Sequence, residues 1–132
     1  MPTIFSWDQF IKIAQFLVQE TKKRDSDIPD EAAYRCAISR AYYAAFCCAL
    51  EFAEDELGYN SEKKGADHTT LRNFMKVQKD DTMVKIAEKL DQLRGWRNTS
   101  DYNALKNIPL IMAENAIRQA QEIVDITYTK KP

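Results

Sequence analysis

The chain has 132 residues, of which 45% are hydrophobic and 30% are charged, which suits one compact domain with its own core and leaves no room for a second of ordinary size. Its 19 basic and 20 acidic residues give a formal net charge of −1, which excludes a protein that attracts nucleic acid or anionic membrane through its overall charge. Any contact with RNA or phosphate must therefore be local.

The first predicted element is a helix that begins after Ser6. The segment from Ser6 to Gln9 has the spacing of a capping box, in which the serine hydroxyl accepts from the first free amides and the glutamine reaches back. The residues predicted to face the core are Phe10, Ile13, Ala14, Leu17 and Val18. The polar segment DSDIPD then predicts a turn, and Pro29 stands where a second helix begins.

The longest predicted helix covers residues 31–56, EAAYRCAISRAYYAAFCCALEFAEDE, which contain no Gly and no Pro. Two adjacent apolar lines run along it at helical spacing. The first line consists of Ala33, Ala37, Ala41, Ala44, Cys48 and Phe52, and the second of Tyr34, Ile38, Tyr42, Phe46 and Leu50. Because each line needs its own neighbour to exclude water, we expect this helix to be the centre of the fold.

A third line on the same helix is largely polar. It consists of Cys36, Ser39, Arg40, Tyr43 and Cys47. Its hydroxyl groups and guanidinium must reach solvent or find partners. This line is therefore the first candidate for a functional surface.

The three cysteines all fall in this predicted helix. Cys36 and Cys47 would lie about 16 Å apart along its axis, beyond the reach of a disulfide, so we expect reduced cysteines in the core. Cys47 and Cys48, with a single histidine elsewhere, do not have the spacing of metal ligands. We expect no metal and no cofactor.

A short third helix is predicted to follow the polar connection around residues 58–66. Gly58 would end the central helix, and Asp67 would cap the next one, in which Leu71, Phe74 and Met75 are apolar. The only histidine, His68, falls in its first turn, where an exposed or capping side chain is the usual arrangement.

The fourth helix is predicted to begin at the caps Asp80 and Asp81. Its apolar line consists of Met83, Ile86, Leu90 and Leu93. The next place on that line is Arg97, so the periodicity puts an arginine at a core position. Gly95 and the capping side chains of residues 98–101 predict a break or kink there.

The last predicted helix follows Asn107 as a cap and Pro109 as its first residue. Its predicted buried residues are Leu110, Ala113, Ile117, Ala120 and Val124. The tail TYTKKP, residues 127–132, is expected to be disordered. Because no alternating strand pattern occurs, we predict an all-α fold, an antiparallel bundle of about five helices in a single domain over residues 1–132.

Targeting signals are not evident in the sequence. The segment MPTIFSWDQF has no basic region followed by an apolar run of signal length, and no stretch approaches the roughly 18 continuous apolar residues of a membrane helix. We expect a cytoplasmic protein with no membrane partner.

Two segments together resemble the HEPN superfamily, specifically its small stand-alone members. They are SRAYYAAF, residues 39–46, and RNTSDY, residues 97–102, with the connection GADHTTL between them. The resemblance covers nearly the whole chain and implies an HEPN-like bundle, usually dimerised so that two arginine loops meet in one cleft. Many members are metal-independent ribonucleases, and many are toxins paired with a small nucleotidyltransferase or another antitoxin.

The family's usual catalytic signature is an arginine, commonly followed by a polar residue, with four to six residues before a histidine. Arg97 and Asn98 match its start, but Tyr102 stands where the shortest form of the motif requires the histidine. The segment is therefore a degenerate motif in which four residues separate Arg97 from Tyr102.

Metal-independent RNA cleavage needs a base for the 2′-hydroxyl, an acid for the leaving oxygen and a cation for the phosphorane. Arg97 suits the cation, because its planar fork matches phosphate and stays charged. The catalytic candidates are Arg97, Tyr102 and Asp101, although a phenol has a reference pKa of about 10 and a carboxyl beside an arginine becomes a weaker base. The candidates for binding phosphate or RNA are Arg97, Asn98, Arg40 and Tyr43.

Each candidate has a second interpretation. Arg97 could pair with Asp101 and simply end its helix, and Tyr102 could be a packed ring with a hydrogen-bonded hydroxyl. Arg40 and Tyr43 could form a solvent-facing stripe or a dimer surface. The leading hypothesis is a homodimeric HEPN-type domain that binds RNA or nucleotide phosphate through Arg97 and Asn98 and belongs to a toxin-antitoxin or defence pair. Whether it is also a metal-independent ribonuclease is left open by the missing motif histidine. The alternatives are a non-catalytic partner of a separate nucleotidyltransferase and a helical adaptor without a nucleic-acid role.

Overall fold

The computed structural model describes residues 5–61 and 67–130. Over these residues the chain forms five helices and no strand, which confirms the predicted all-α bundle. The helices are α1 Gln9–Thr21, α2 Asp30–Glu56, α3 Asp67–Lys76, α4 Asp81–Tyr102 and α5 Leu110–Lys130. No helix in the described part of the chain is long and apolar enough to cross a membrane.

Helix α2 lies at the centre, as predicted, and packs against each of the other four helices. Both of its apolar lines are buried, apart from Tyr34 and Leu50, which are half-buried at its two ends. Gly58 ends the helix with a φ of 72°, a conformation that costs glycine little because it has no Cβ. The expected core cysteines are only partly confirmed, because Cys48 is buried whereas Cys36 is exposed.

Helix α1 buries most of the predicted line. Ala14 and Val18 are buried and Phe10 and Leu17 pack half-buried against the core, as predicted. Ile13 is instead 50% exposed, and Ile11 is buried in addition. Apolar residues cover more than half of the helix circumference, so periodicity alone could not select the line that meets α2 and α5. The predicted capping box is also wrong, since the Ser6 hydroxyl donates to the Asp8 carboxylate and accepts no hydrogen bond from a helix amide in the described part of the chain.

Helix α4 is continuous through residues 95–101, so the predicted break of the helix there is wrong. Arg35 on α2 stabilises the end of this helix, because its guanidinium binds the C-terminal end of α4 and the loop after it. The last carbonyls of a helix lack partners within the helix; the Thr99 carbonyl accepts from the Asn103 amide at 3.0 Å, and Arg35 donates to this carbonyl and to that of Ser100. Its acceptors are the carbonyls of Thr99 at 3.4 Å, Ser100 at 2.8 Å, Asn103 at 3.1 Å and Lys106 at 2.5 Å.

Helix α5 continues into the predicted disordered tail. It runs through Tyr128 to Lys130, and Thr127 is fully buried, with its hydroxyl donating to the carbonyl of Val124 at 2.8 Å. The last two positions of the tail, 131–132, lie outside the described residues, as do residues 62–66 of the polar connection. The buried face of α5 consists of Ala113, Ala116, Ala120, Ile123, Val124 and Thr127, and the predicted Leu110 and Ile117 are half-buried.

Candidate functional site

Arg97 lies on the side of α4 that faces the middle of α2. It follows Leu90 and Leu93 on the buried line of α4, and only 16% of its side chain is exposed. A charged group this close to a core is stable only with hydrogen-bonding partners. The contacts of the Arg97 guanidinium therefore indicate which role this residue has.

Every nitrogen of the Arg97 guanidinium lies near an oxygen. Nη2 donates to the hydroxyl groups of Tyr43 at 3.1 Å and Tyr102 at 3.4 Å, and Nη1 donates to Asn98 Oδ1 at 3.3 Å. Nε lies 2.9 Å from Asp101 Oδ2, although its N–H is not aligned for a hydrogen bond, so the contact is an ion pair. The guanidinium carbon is 5.4 Å from the centre of each tyrosine ring.

Tyr43 joins this group to a second arginine. The Arg40 guanidinium lies 5.2 Å from the Tyr43 ring and 5.3 Å from the Phe10 ring of α1. Two cations thus rest on one aromatic ring, an arrangement that is attractive because of the negative charge at the ring face. The structure brings the six predicted site residues together: Arg40, Tyr43, Arg97, Asn98, Asp101 and Tyr102. This group is called the Arg97 cluster below.

His68 lies beside the Arg97 cluster, and the prediction of an exposed or capping side chain is wrong. Its ring is half-buried and stacks on Phe46, with centres 4.1 Å apart and planes at 19°. It also meets the edge of Tyr43 at 6.3 Å, and its Nδ1 forms a short hydrogen bond with the hydroxyl of Tyr42. One signal in the sequence could have suggested this position. Tyr42, Tyr43 and Phe46 form an aromatic surface at helical spacing on α2, and such a surface favours packing against another planar ring.

The environment of His68 disfavours the charged form of the imidazole. Burial lowers the pKa of His68, and the neighbouring charges of Arg94, Arg97 and Arg72 lower it further. Burial also raises the pKa of Tyr42 to about 12, against the opposite effect of the same arginines. At neutral pH the site therefore contains a neutral imidazole held by a protonated phenol.

Two further arginines lie on the His68 side of the cluster. Arg72 forms an ion pair with Asp91. Arg94 donates to the hydroxyl of Thr69 at 3.2 Å, and its Nε is buried without a partner. Across residues 5–61 and 67–130, neither Arg94 nor Arg40 forms an ion pair. The region is thus locally positive on a chain of net charge −1.

An open groove of about 700 Å³ borders the Arg97 cluster on its α1 side. Arg40 and Asp101 form one wall, Ser39 donates to Asp101 at 3.4 Å, and Ile13 and Leu17 form the apolar wall. The half-exposed Ile13, which the sequence placed in the core, is therefore part of a surface beside the site.

Comparison with known proteins gives one relative. Uncharacterized protein MJ0992 of Methanocaldococcus jannaschii is 30% identical to this chain over 145 aligned positions, which cover 96% of this chain and 79% of the archaeal protein. The chain belongs to the same family as that protein. Helices α2 and α4, which carry the Arg97 cluster, lie within the aligned part.

No family model matches the chain, and no solved structure matches it. The name of the archaeal relative states no activity. The chemistry of the Arg97 cluster and the sequence resemblance to the HEPN superfamily are therefore the two indications of function.

Proposed function

We propose that the chain is an HEPN-type domain that binds the phosphate backbone of single-stranded RNA at the Arg97 cluster. The observation that carries the proposal is the Arg97 guanidinium, held between two phenol rings beside a second arginine, Arg40, that has no carboxylate partner in the described part of the chain. The ion pair between Arg97 and Asp101 is present in the last turn of α4, but a pair that merely ends the helix would account for only one of the contacts of Arg97.

The contacts of Arg97 leave room for an anion. The hydrogen bonds to Asn98 and Tyr102 are 3.3 Å and 3.4 Å long, longer than the usual 2.9–3.0 Å. A phosphate oxygen would replace them with charge-assisted bonds, which are shorter and roughly twice as strong. The bond to Tyr43 would stay and would keep the guanidinium oriented.

The surroundings suit a nucleic acid better than a small anion. The Tyr102 side chain is 74% exposed, so its ring is open for a base to stack on, a contact worth about 1–3 kcal/mol. The adjacent groove is long enough to take more than one group of a ligand, since it runs from Arg35 to Arg40 along α2. Single-stranded RNA offers both a phosphate and an unstacked base.

The test measures the affinity of the purified chain for a labelled single-stranded RNA by fluorescence anisotropy, with chelator present. Arg97→Ala should weaken binding at least tenfold. Arg118→Ala is the matched control, because Arg118 is an exposed arginine on α5 that donates only to Asn115 in the described part of the chain. Equal affinities for the native chain and Arg97→Ala would contradict the proposal.

The missing motif histidine favours a second candidate, a non-catalytic HEPN partner of a separately encoded nucleotidyltransferase. In that case the chain would form a stable complex with such a protein and would show no affinity for RNA when alone. Light scattering on the same preparations would measure the expected homodimer and the stoichiometry of any complex.

A further inference from the structure

The proposed RNA site assigns no role to the chain's single histidine. His68 lies on α3, outside the segment of α4 that resembles the family motif. Its ring contacts Tyr43, and the hydroxyl of Tyr43 is bonded to Arg97. One tyrosine thus separates the imidazole from the guanidinium that would hold a phosphate.

We propose that His68 is the general base of a metal-independent RNA cleavage reaction at the Arg97 cluster. This inference rests on the proposed binding of RNA there and adds a reaction to it. Tyr102 stands where the family motif requires its histidine. In this proposal His68, from another helix, takes the role of the base instead of Tyr102.

The orientation of the imidazole supports this role. The hydrogen bond to Tyr42 and the stacking on Phe46 fix the ring at Nδ1 and on one face. The other nitrogen, Nε2, has no hydrogen-bond partner in residues 5–61 or 67–130 and is not among their buried unpaired atoms. In the tautomer that the reaction uses, Nδ1–H donates to the Tyr42 oxygen and Nε2 carries the free lone pair.

The reaction is a transesterification within the RNA. The proton of a ribose 2′-hydroxyl passes to Nε2 of His68 while the 2′-oxygen forms a bond to phosphorus and the bond from phosphorus to O5′ breaks. The O5′ oxygen takes a proton from water, and the imidazolium then releases its proton to solvent. Arg97 stabilises the negative charge of the phosphorane. The products are a 2′,3′-cyclic phosphate and a 5′-hydroxyl end.

The charged groups around His68 favour a neutral imidazole before the reaction, as a general base requires. The titratable and charged groups facing it are Tyr42 and Tyr43 on α2, Asp67 and Arg72 on α3, and Arg94 and Arg97 on α4. Burial and the positive groups together outweigh Asp67, so the pKa of His68 lies below its usual value and the lone pair is available at neutral pH. The other candidate base, Asp101, is already engaged by Arg97 and Ser39.

The experiment measures binding and cleavage of the same labelled RNA by the full chain, in chelator, for the native protein, His68→Asn, His68→Gln and Arg97→Ala. The asparagine amide can keep the hydrogen bond to Tyr42 and thereby the fold, which circular dichroism checks. We expect the histidine variants to bind RNA within about twofold of the native chain and to cleave it about 10²–10⁴-fold more slowly, the usual contribution of a general base. Arg97→Ala should weaken binding at least tenfold and lose cleavage.

The outcomes separate the two proposals. RNA that is bound but not cleaved by the native chain would overturn the role of His68 and leave the binding proposal intact. Equal cleavage by His68→Asn and the native chain would overturn it as well. A native chain that does not bind RNA would overturn the binding proposal, and the role of His68 with it.

A second measurement on the native chain avoids any folding defect. Because the sequence contains one histidine, its imidazole gives a single set of NMR signals that needs no assignment. Adding an oligonucleotide with 2′-deoxyribose at each position, which lacks the attacking hydroxyl, should shift these signals at the concentrations where it binds. Signals that stay in place while the oligonucleotide is bound would contradict contact between His68 and the ligand.

Discussion

The hydroxyl of Tyr43 accepts a hydrogen bond of 3.1 Å from Nη2 of Arg97. This bond joins the middle of α2 to the last turns of α4, and the Tyr43 ring also contacts Arg40 and His68. Tyr43 therefore contacts all three basic groups of the site, Arg97, Arg40 and His68. Its hydroxyl and its ring can be tested separately.

Tyr43→Phe removes the hydroxyl and keeps the ring. Because this hydrogen bond orients the guanidinium that would hold the phosphate, we expect the Kd for single-stranded RNA to rise about fivefold, equivalent to about 1 kcal/mol, while the fold stays intact. Anisotropy titrations measure the change. Tyr34→Phe is the control, since the Tyr34 hydroxyl is on the same helix and has no hydrogen bond in the described part of the chain, and equal effects of the two variants would contradict the prediction.

Arg35→Ala should destabilise the protein and loosen the end of α4. The guanidinium donates to four backbone carbonyls, and hydrogen bonds from a charged group contribute about 1.5–3 kcal/mol. We expect the free energy of unfolding in urea to fall by about 2–3 kcal/mol, with faster hydrogen exchange for the amides near residue 103. Arg118→Ala again serves as the control, and a loss no larger than in that variant would show that Arg35 is not needed.

Gly95→Ala should stabilise the protein by about 1 kcal/mol, because alanine is the better helix former by that amount. A Cβ at this position would meet no atom within 4 Å, so the substitution adds no clash. Gly58→Ala should have the opposite sign by about the same amount, since its φ is +72° and disfavours any side chain. Urea unfolding compares the two, and a destabilised Gly95→Ala would indicate that α4 does break near residue 95.

Stability should decrease as the solution is acidified below about pH 6.5, the unfolded pKa of a histidine. The folded pKa of His68 is lowered, chiefly by burial, so the unfolded chain takes up a proton at a higher pH than the folded one. The stability that the neutral imidazole gives is complete above the unfolded pKa and is lost as the pH falls through the folded pKa. The pKa of Asp91 is also lowered, but its effect begins only below its own usual value of 3.8.

Urea unfolding is measured at about pH 7.5 and about pH 5.5, which lie on either side of the usual pKa of histidine. Both values lie above the pKa of most carboxyl groups. The native chain should lose stability between these two values, and His68→Asn should lose less. If both proteins respond equally, the acid sensitivity arises from another group.

RNA binding by this chain should depend on salt only modestly. Each phosphate that is neutralised on a single strand contributes about 0.7 to the slope of log affinity against log salt, and the Arg97 cluster offers two arginines, Arg40 and Arg97. We expect a slope of about −1.4 for the native chain and about −0.7 for Arg97→Ala. A slope that is unchanged by the substitution would place the phosphate contacts elsewhere.

The sequence predicted those features that depend on local pattern. The length of α2, its central position and the caps at Asp80 and Gly58 follow from periodicity and from the chemistry of helix ends. Arg97 was correctly expected on the buried line of α4, because that line recurs at fixed spacing.

The features that were not predicted depend on contacts between distant residues. The end of α4 is held by Arg35, which stands 65 positions before its acceptor Ser100, and no pattern within α4 predicts that contact. The position of His68 depends on how α3 packs beside the aromatic surface of α2. In α1 the chain offers two apolar lines, and only the packing of the neighbours decides which one is buried.

The way Arg35 holds the segment after α4 bears on how this family can diverge. The guanidinium contacts main-chain oxygens of Asn103 and Lys106, whereas the Leu105 side chain between them is 99% exposed. The segment is therefore held mainly through its main chain, together with the Asn103 side chain, which accepts from the Leu105 amide at 3.1 Å. Side chains at positions 104–106 can thus change with little effect on the helix that ends beside them, which leaves this surface open to variation.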